Sequence, residues 1–368
     1  MKICVITAAT WSIPKFRIDM IDEFVRRGYE VVVFGDEPRG KWDGFFEEHC
    51  VSYRTYPVSR NGMDPIADLG TLKSLIGLLR KERPDKIFTY QIKPNIYGGL
   101  AAHLSDVADL YMMMGGIGSI FLSEGVKRIL RGIVSAEYRF AMRYAKRVFF
   151  QNRDDAEVFV DSGILDRKKI VLINGSGVNT DEFAQCPLPE AISFIFVGRA
   201  IKDKGAKEYL LASRELKRRY PGATCHFVGD VDSNPSSLNM DNIRSFVADG
   251  SIVWHGWQDD VRPFIAMASV FVLPSYREGT PKAALEAMSM GRAVITTDAP
   301  GCREVVVRNE NGLLVKPGDA KGLAEAMLKL AGEAELVKKM GNKSRELVES
   351  KFDVRIVNST ICKTMGIN

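Results

Sequence analysis

Ser275-Tyr276-Arg277-Glu278-Gly279-Thr280-Pro281-Lys282-Ala283-Ala284-Leu285-Glu286-Ala287-Met288-Ser289-Met290-Gly291 is the stretch from which the rest of the chain is read. The apolar run before it, 269–274, reads as a buried strand. Thr280 suits a helix N-cap and Pro281 the first helical position, where a missing N–H costs nothing. Gly291 then closes the helix as its C′ residue. A strand, a tight turn at Gly279 and a short helix follow, with the helix's free N–H groups at the strand's carboxyl end. Such an end favours an anion, typically a phosphate. Glu278 and Glu286 flank it, and carboxylates suit hydroxyls better than phosphate. A ligand carrying both, such as a nucleotide sugar, accounts for the set.

The bland reading is a capped surface helix with two solvated glutamates. The ordered run Glu-Gly-Thr-Pro, four residues, then Glu-Ala, after a hydrophobic strand, is more specific. On these residues the sequence resembles the retaining family 4 glycosyltransferases. That resemblance implies an α/β GT-B fold, two Rossmann-like domains facing across a cleft.

The 368 residues suffice for two domains. At 46% hydrophobic and 26% charged, the composition is that of a globular protein, and no apolar run reaches the length of a membrane span. The opening Met1-Lys2-Ile3-Cys4-Val5-Ile6 reads as a first strand and not as a signal peptide. Six scattered cysteines without CxxC spacing suit reduced thiols better than disulfides or zinc. A net charge of +5 permits contact with an anionic surface without requiring it.

The first half alternates strand and helix, as a parallel sheet requires. Strands are expected near 2–7, 29–34, 51–56, 85–90, 107–113 and 147–151. Phe16, Met20, Ile21, Phe24 and Val25 recur at helical spacing, and Gly28 closes that helix. Ligands bind beyond the carboxyl ends of such strands, which selects loops 8–16, 90–98 and 113–120. The first has no glycine, which argues against a dinucleotide-dependent dehydrogenase. In the second, Lys93 could meet a phosphate or simply be exposed. In the third, the glycines Gly115, Gly116 and Gly118 make either a turn or a ligand loop. Over 126–147, Val126, Ile129, Leu130, Ile133, Ala141 and Tyr144 share one helical face at roughly 100° per residue. Lys127, Arg128, Arg131, Arg139, Arg143 and Lys146 lie broadly opposite. That basic face is either a solvated wall or a contact with anionic lipid headgroups.

Asn174-Gly175-Ser176-Gly177-Val178-Asn179 marks the junction. The expected division is 1–174, 178–350, and a C-terminal helix within 351–368 that packs back on the first domain. Strand 192–197 ends in Gly198-Arg199, with Lys204-Gly205 before a helix. Two cations beyond a strand suit a diphosphate, Arg199 bidentately and Lys204 as a point charge. Further strands are expected at 223–228 and 251–255, with helices at 320–350 and beyond 353. Asp230-Val231-Asp232 resembles a metal motif of another glycosyltransferase fold, yet two cations already serve the diphosphate, so no metal and no cofactor is expected.

The resemblance spans nearly the whole chain, most specifically 198–315, where Gly301-Cys302-Arg303-Glu304 and Asn311-Gly312-Leu313-Leu314-Val315 continue its pattern. It implies donor contacts from Gly198, Arg199, Lys204, Trp254, His255, Glu278, Gly279, Thr280, Pro281 and Glu286. Catalysis would rest on Glu278, Arg199 and Lys204, and Arg17, Lys93, Asn95, Gly116 and Gly118 would face the acceptor. Within the family it looks most like the capsule, O-antigen and N-glycan assembly branch. That branch implies a UDP-sugar donor, a lipid-diphosphate-linked saccharide acceptor, and a cytoplasmic, peripheral place on the inner face of the plasma membrane, with no nucleic acid partner. Many relatives carry a histidine where this chain has Gly115. A GT-B nucleotide-sugar epimerase and a non-catalytic nucleotide-sugar-binding protein are the competing readings.

Overall fold

The structure is a computed structural model that describes residues 1–59, 64–106, 109–117, 127–231 and 236–368, with side chains omitted over 127–130. Gly118 and Asp232 therefore lie outside the described residues, as do Val126 and the side chains of Lys127, Arg128, Ile129 and Leu130.

The chain divides into two compact units, Met1–Ser176 with Val357–Asn368, and Gly177–Ile356. The first is built on Lys2–Ile6 (β1), Glu30–Gly35 (β2), Val51–Thr55 (β3), Lys86–Tyr90 (β4), Asp109–Met114 (β5), Arg147–Phe150 (β6) and Ile170–Leu172 (β7). These form one parallel sheet in the order β3-β2-β1-β4-β5-β6-β7. β7 was not foreseen; it is three residues long and too short to show a period.

Both faces of this sheet are covered, so its strands read as continuous apolar runs. Cys4, Ile6, Val32 and Phe34 enter one core, whereas Ile3, Val5, Val31 and Val33 enter the other. The second core also takes Val357, Ile361, Cys362 and Met365 from the last helix, Val354–Met365. The helix expected to begin at Phe16 is broken: Ile13–Phe16 and Ile18–Arg26 are separated by Arg17, whose φ of −135° is not helical.

The second unit carries Ser193–Val197 (β8), Thr224–Val228 (β9), Val253–Trp254 (β10), Val270–Leu273 (β11), Ala293–Thr297 (β12) and Gly312–Val315 (β13). They form a parallel sheet ordered β10-β9-β8-β11-β12-β13. The chain starts in the middle, winds outward through β10, then returns beside β8 with β11. The carboxyl ends of β8 and β11 therefore border the topological switch point, where such sheets take their ligands. Helices Ala206–Arg219, Ala320–Ala331 and Ala334–Leu347 flank the sheet, and one buried core joins them.

The helix 127–143 sits differently from expectation. Its buried side is Val134, Tyr138, Ala141 and Met142, while Ile133 is 48% exposed. At about 100° per residue the helix is rolled by about a quarter turn from the wheel centred on Ile133. Burial of larger groups decides this: Tyr138 packs edge-on to Phe159, with ring centroids 5.4 Å apart.

All six cysteines are free thiols. Among the described residues, no helix is long and apolar enough to cross a membrane.

Candidate functional site

Two loops meet at the switch point of the second unit. The first leaves β8 at Gly198 and Arg199, makes a short helical turn at Lys202–Lys204, and enters helix Ala206–Arg219 through Gly205. Gly205 has φ +68°, and a Cβ there would lie 2.0 Å from the Pro274 carbonyl oxygen, so only glycine lets this helix start against the end of β11. The second loop, 275–280, is pinned to the first. The Tyr276 N–H and the Ser275 hydroxyl both donate to the Asp203 carbonyl, each at 2.9 Å. Tyr276 donates its hydroxyl to Glu208 Oε1 at 2.8 Å, one turn into the helix. Burial first, then the Glu208 carboxylate, pushes that phenol up to about 12.

The loop's other flank is equally fixed. The Glu278 N–H donates to the Pro300 carbonyl at 3.0 Å, and the Thr297 hydroxyl donates to the Ser275 carbonyl. Gly301, at φ +76°, lies so close that a Cβ would come within 2.2 Å of the Glu278 carbonyl oxygen. Held this way, Glu278 places Oε1 2.5 Å from Lys204 Nζ. Both side chains are largely buried, at 12% and 26% exposure, so this pair is screened less than a surface one.

Helix Lys282–Ser289 begins one residue later than expected. Pro281 is its N-cap, with ψ 106° and no side-chain cap, and its carbonyl accepts from the N–H groups of Ala284 and Leu285. Glu278 and Gly279 lie against Pro300 and Gly301, and the chain turns helical after Pro281. The C-terminus is as expected. Gly291, at φ +81°, donates to Met288, and Arg292 donates to Ala287, which is a Schellman closure. Glu286 is half-buried, eight residues after Glu278.

Gly198, Arg199, Lys204, Glu278, Gly279, Thr280 and Pro281 thus belong to the loops bordering one switch point, with Arg199 exposed. Trp254 ends β10 and His255 follows it, two strands from β8, or about 10 Å along the sheet. Trp254 donates its indole N–H to the Gly229 carbonyl at 2.9 Å. His255 Nε2 is 3.1 Å from His226 Nδ1. Burial, and then His255, lowers His226 to about 4, and burial lowers His255 as well. Among the described residues, no group of three or more His, Cys, Asp or Glu is placed to hold a metal ion.

Of the residues expected on the acceptor side, Arg17, Lys93 and Asn95 have partners within the first unit. Lys93 pairs with Asp68 at 2.5 Å, both being buried. Asn95 accepts from the Thr89 hydroxyl at 2.7 Å and donates to the Met113 carbonyl at 3.0 Å. Arg17 is buried, donating to Ser176 Oγ at 2.8 Å with its guanidinium 5.1 Å from the Tyr90 ring centroid. Desolvation lowers it to about 10. Gly116, at φ +142°, follows β5. Ser275 and Tyr276 stand in the stretch that opens the sequence reading, but their bracing of the first loop was not foreseen, and neither was the part of Glu208 or Gly301. Gly301 left a trace as the glycine of Gly301-Cys302-Arg303-Glu304, and Glu208 left none.

The model of the family described as "Glycosyl transferase 4-like domain" matches residues 19–175, and that of "Glycosyl transferases group 1" matches 191–333. The chain is 27% identical to an N,N'-diacetylbacillosaminyl-diphospho-undecaprenol alpha-1,3-N-acetylgalactosaminyltransferase of Campylobacter jejuni, over 91% of each chain. It is also 27% identical to a UDP-Gal:alpha-D-GlcNAc-diphosphoundecaprenol alpha-1,3-galactosyltransferase of Escherichia coli, over 81% of this chain and 79% of that one. Among solved structures it is similar to Anabaena HepE in complex with UDP and glucose. There the TM-score is 0.78 at 17% identity, covering 100% of this chain and 99% of that one.

Proposed function

Since the chain belongs to the group 1 glycosyltransferases, with a 4-like first domain, we propose that it moves a sugar from a UDP-sugar to a lipid-diphosphate-linked saccharide with retention of configuration. The transferred sugar is an N-acetylhexosamine or a hexose, and the product serves bacterial surface polysaccharide or glycan assembly on the cytoplasmic face of the plasma membrane.

The observation that carries this reading is the Lys204–Glu278 pair at the switch point, because it sets a cation and a hydroxyl acceptor side by side. Lys204, Arg199 and the N-terminus of helix Lys282–Ser289 supply positive potential for the diphosphate of the donor. Glu278 takes hydroxyls of the transferred sugar, and Glu286 those of the ribose. Trp254 and His255, which lie further along the sheet edge, are assigned to the nucleobase.

In the transfer, the acceptor oxygen bonds to the anomeric carbon on the face that the diphosphate leaves. The anomeric C–O bond breaks with its electron pair going to the diphosphate, and the acceptor proton passes to a diphosphate oxygen. The protein's main contribution is preorganised charge on the leaving group. Arg199 and Lys204 supply that charge in place of a metal. The relatives' names support retention, since both specify α-1,3 products, and UDP-galactose is itself an α-linked donor.

Calorimetry with a panel of UDP-sugars in EDTA, followed by product analysis, tests the proposal. Binding of one UDP-sugar and transfer only when an acceptor is added are expected. Conversion of the donor alone would identify an epimerase. Binding without any turnover would identify a non-catalytic module, and activity lost in chelator but restored by magnesium or manganese would overturn metal independence.

A further inference from the structure

The outward face of helix Lys127–Arg143 is neither plainly polar nor plainly basic. Arg139, Arg143, Ala136, Phe140 and Ile133 are all exposed and fall within an arc of about 120° at about 100° per residue. Two large apolar side chains stand in that arc, Ile133 at 48% and Phe140 at 51% exposure. The Phe140 ring rests edge-on against Tyr144, with centroids 5.5 Å apart, and Tyr144 stacks on His103 at 3.7 Å. Phe140 is thus held outward from a rigid base instead of folding back.

Among the described residues, no carboxylate pairs with the arginines beside it. Arg139 donates to the carbonyls of Gly163 and Ser162 at 2.8 and 3.1 Å, which orient the guanidinium and leave its charge. Among the described residues Arg143 makes no ion pair, and Lys169 caps the helix end through the carbonyls of Met142 and Arg143. An open cavity of about 520 Å³ lies alongside, lined by Met142, Ile164 and Leu165 as well as these cations. Asp166, whose carboxylate accepts from the Lys168 N–H, is the acidic group on its rim. Aromatic and branched apolar side chains set among arginines on one solvent-facing arc are the pattern of an interfacial helix. A solvated wall has no reason to keep both.

We propose that this face docks the protein on an anionic lipid bilayer, with Ile133 and Phe140 entering the headgroup–acyl boundary and Arg139 and Arg143 meeting lipid phosphates. The partner's source rests on the proposed transfer, since an acceptor anchored in a bilayer obliges the enzyme to approach it. The charge and exposure of the face do not depend on that reading. Electrostatics brings the helix to the surface and is screened by salt, whereas apolar insertion is not.

The test is sedimentation with vesicles of phosphatidylglycerol and phosphatidylcholine, against vesicles of phosphatidylcholine alone. The wild type binds the anionic vesicles at low salt. Replacing both arginines, Arg139→Gln with Arg143→Gln, weakens binding about 30-fold, from about 1 kcal/mol for each basic residue near the surface. Replacing both apolar residues, Ile133→Ser with Phe140→Ser, weakens it at least about tenfold at the same salt. In Phe140→Trp, vesicles shift the emission of the added tryptophan to the blue relative to wild type. The proposal is overturned if the wild type ignores anionic vesicles at low salt, binds neutral ones equally, or binds undiminished after the double serine change. Circular dichroism melts and UDP calorimetry without vesicles confirm that each variant is folded. Vesicle binding without UDP binding would sink the transferase reading and leave the docking face standing.

Discussion

Lys204 Nζ stands 2.5 Å from Glu278 Oε1, across 74 residues of sequence. The pair ties the loop after β8 to the loop after β11, and it does so where the neighbouring strands β8 and β11 continue in opposite directions of winding. A cation held by one carboxylate is oriented before any ligand arrives, which is what electrostatic catalysis requires.

If Lys204 and Arg199 bear the leaving diphosphate, Lys204→Ala or Arg199→Ala raises the barrier by about 2–4 kcal/mol, the range for a preorganised charge contact. Steady-state kcat/KM should fall by roughly 30- to 1000-fold, with the melting temperature little changed. Rates near wild type in either variant would remove that residue from the diphosphate site. Because Lys204 and Glu278 touch, the double variant should be non-additive.

The two glutamates are expected to separate binding from turnover. Glu286→Ala weakens calorimetric affinity for free UDP. Glu278→Ala leaves that affinity almost intact and abolishes transfer. The reverse pattern would mean that the ribose and sugar roles are exchanged.

Glycine substitutions discriminate conformational cost from close approach. Gly28 has φ +81° with nothing within 4 Å of a built Cβ, so Gly28→Ala costs only the left-handed penalty of about 1–2 kcal/mol. At Gly205 the same penalty is joined by a clash with the Pro274 backbone. Gly205→Ala should therefore lower the denaturation midpoint more than Gly28→Ala does, and weaken UDP binding by parting the Lys204 loop from 274–278. Equal effects from the two changes would show that the contact at Gly205 relaxes freely.

The histidine pair predicts an acid limit. Burial and His255 lower His226 to about 4 in the fold, below its ordinary value near 6.5. Between those values the unfolded chain binds more protons, so stability rises with pH across the window and is lost as pH falls from about 6.5 towards 4. Thermal melts of His226→Gln should show a shallower pH dependence there than the wild type. An unchanged slope would assign the acid sensitivity elsewhere.

Much of the architecture was legible because buried parallel strands announce themselves as apolar runs. β1, β2, β4, β8, β9 and β11 were each read to within about two residues, an ordinary error at element ends. β7 offered too few residues for a pattern. The roll of helix 127–143 was not legible either. Wheel arithmetic ranks residues by polarity, and the fold ranked them by what Phe159 could pack against, which chose Tyr138 over Ile133.

At the candidate site the division is sharper. Residue type and order alone singled out Arg199, Lys204, Glu278 and Glu286, since cations beyond a strand and carboxylates around a helix start have few other uses together. The sequence also placed the helix end, because Gly291 at a left-handed φ is a local requirement. What it could not supply was contact between distant segments. That Lys204 meets Glu278, that Tyr276 is braced on Glu208, and that Gly301 passes under Glu278 are products of strand order, which brings β8 beside β11 and β11 beside β12. In the same way Lys93, read as a possible phosphate ligand, is paired with Asp68, a partner 25 residues away that only the packing of helix Pro65–Glu82 delivers. Local chemistry is written in neighbouring residues. Which charges neutralise one another is decided by the sheet, because an ion pair depends on distance in space and the chain records only distance along itself.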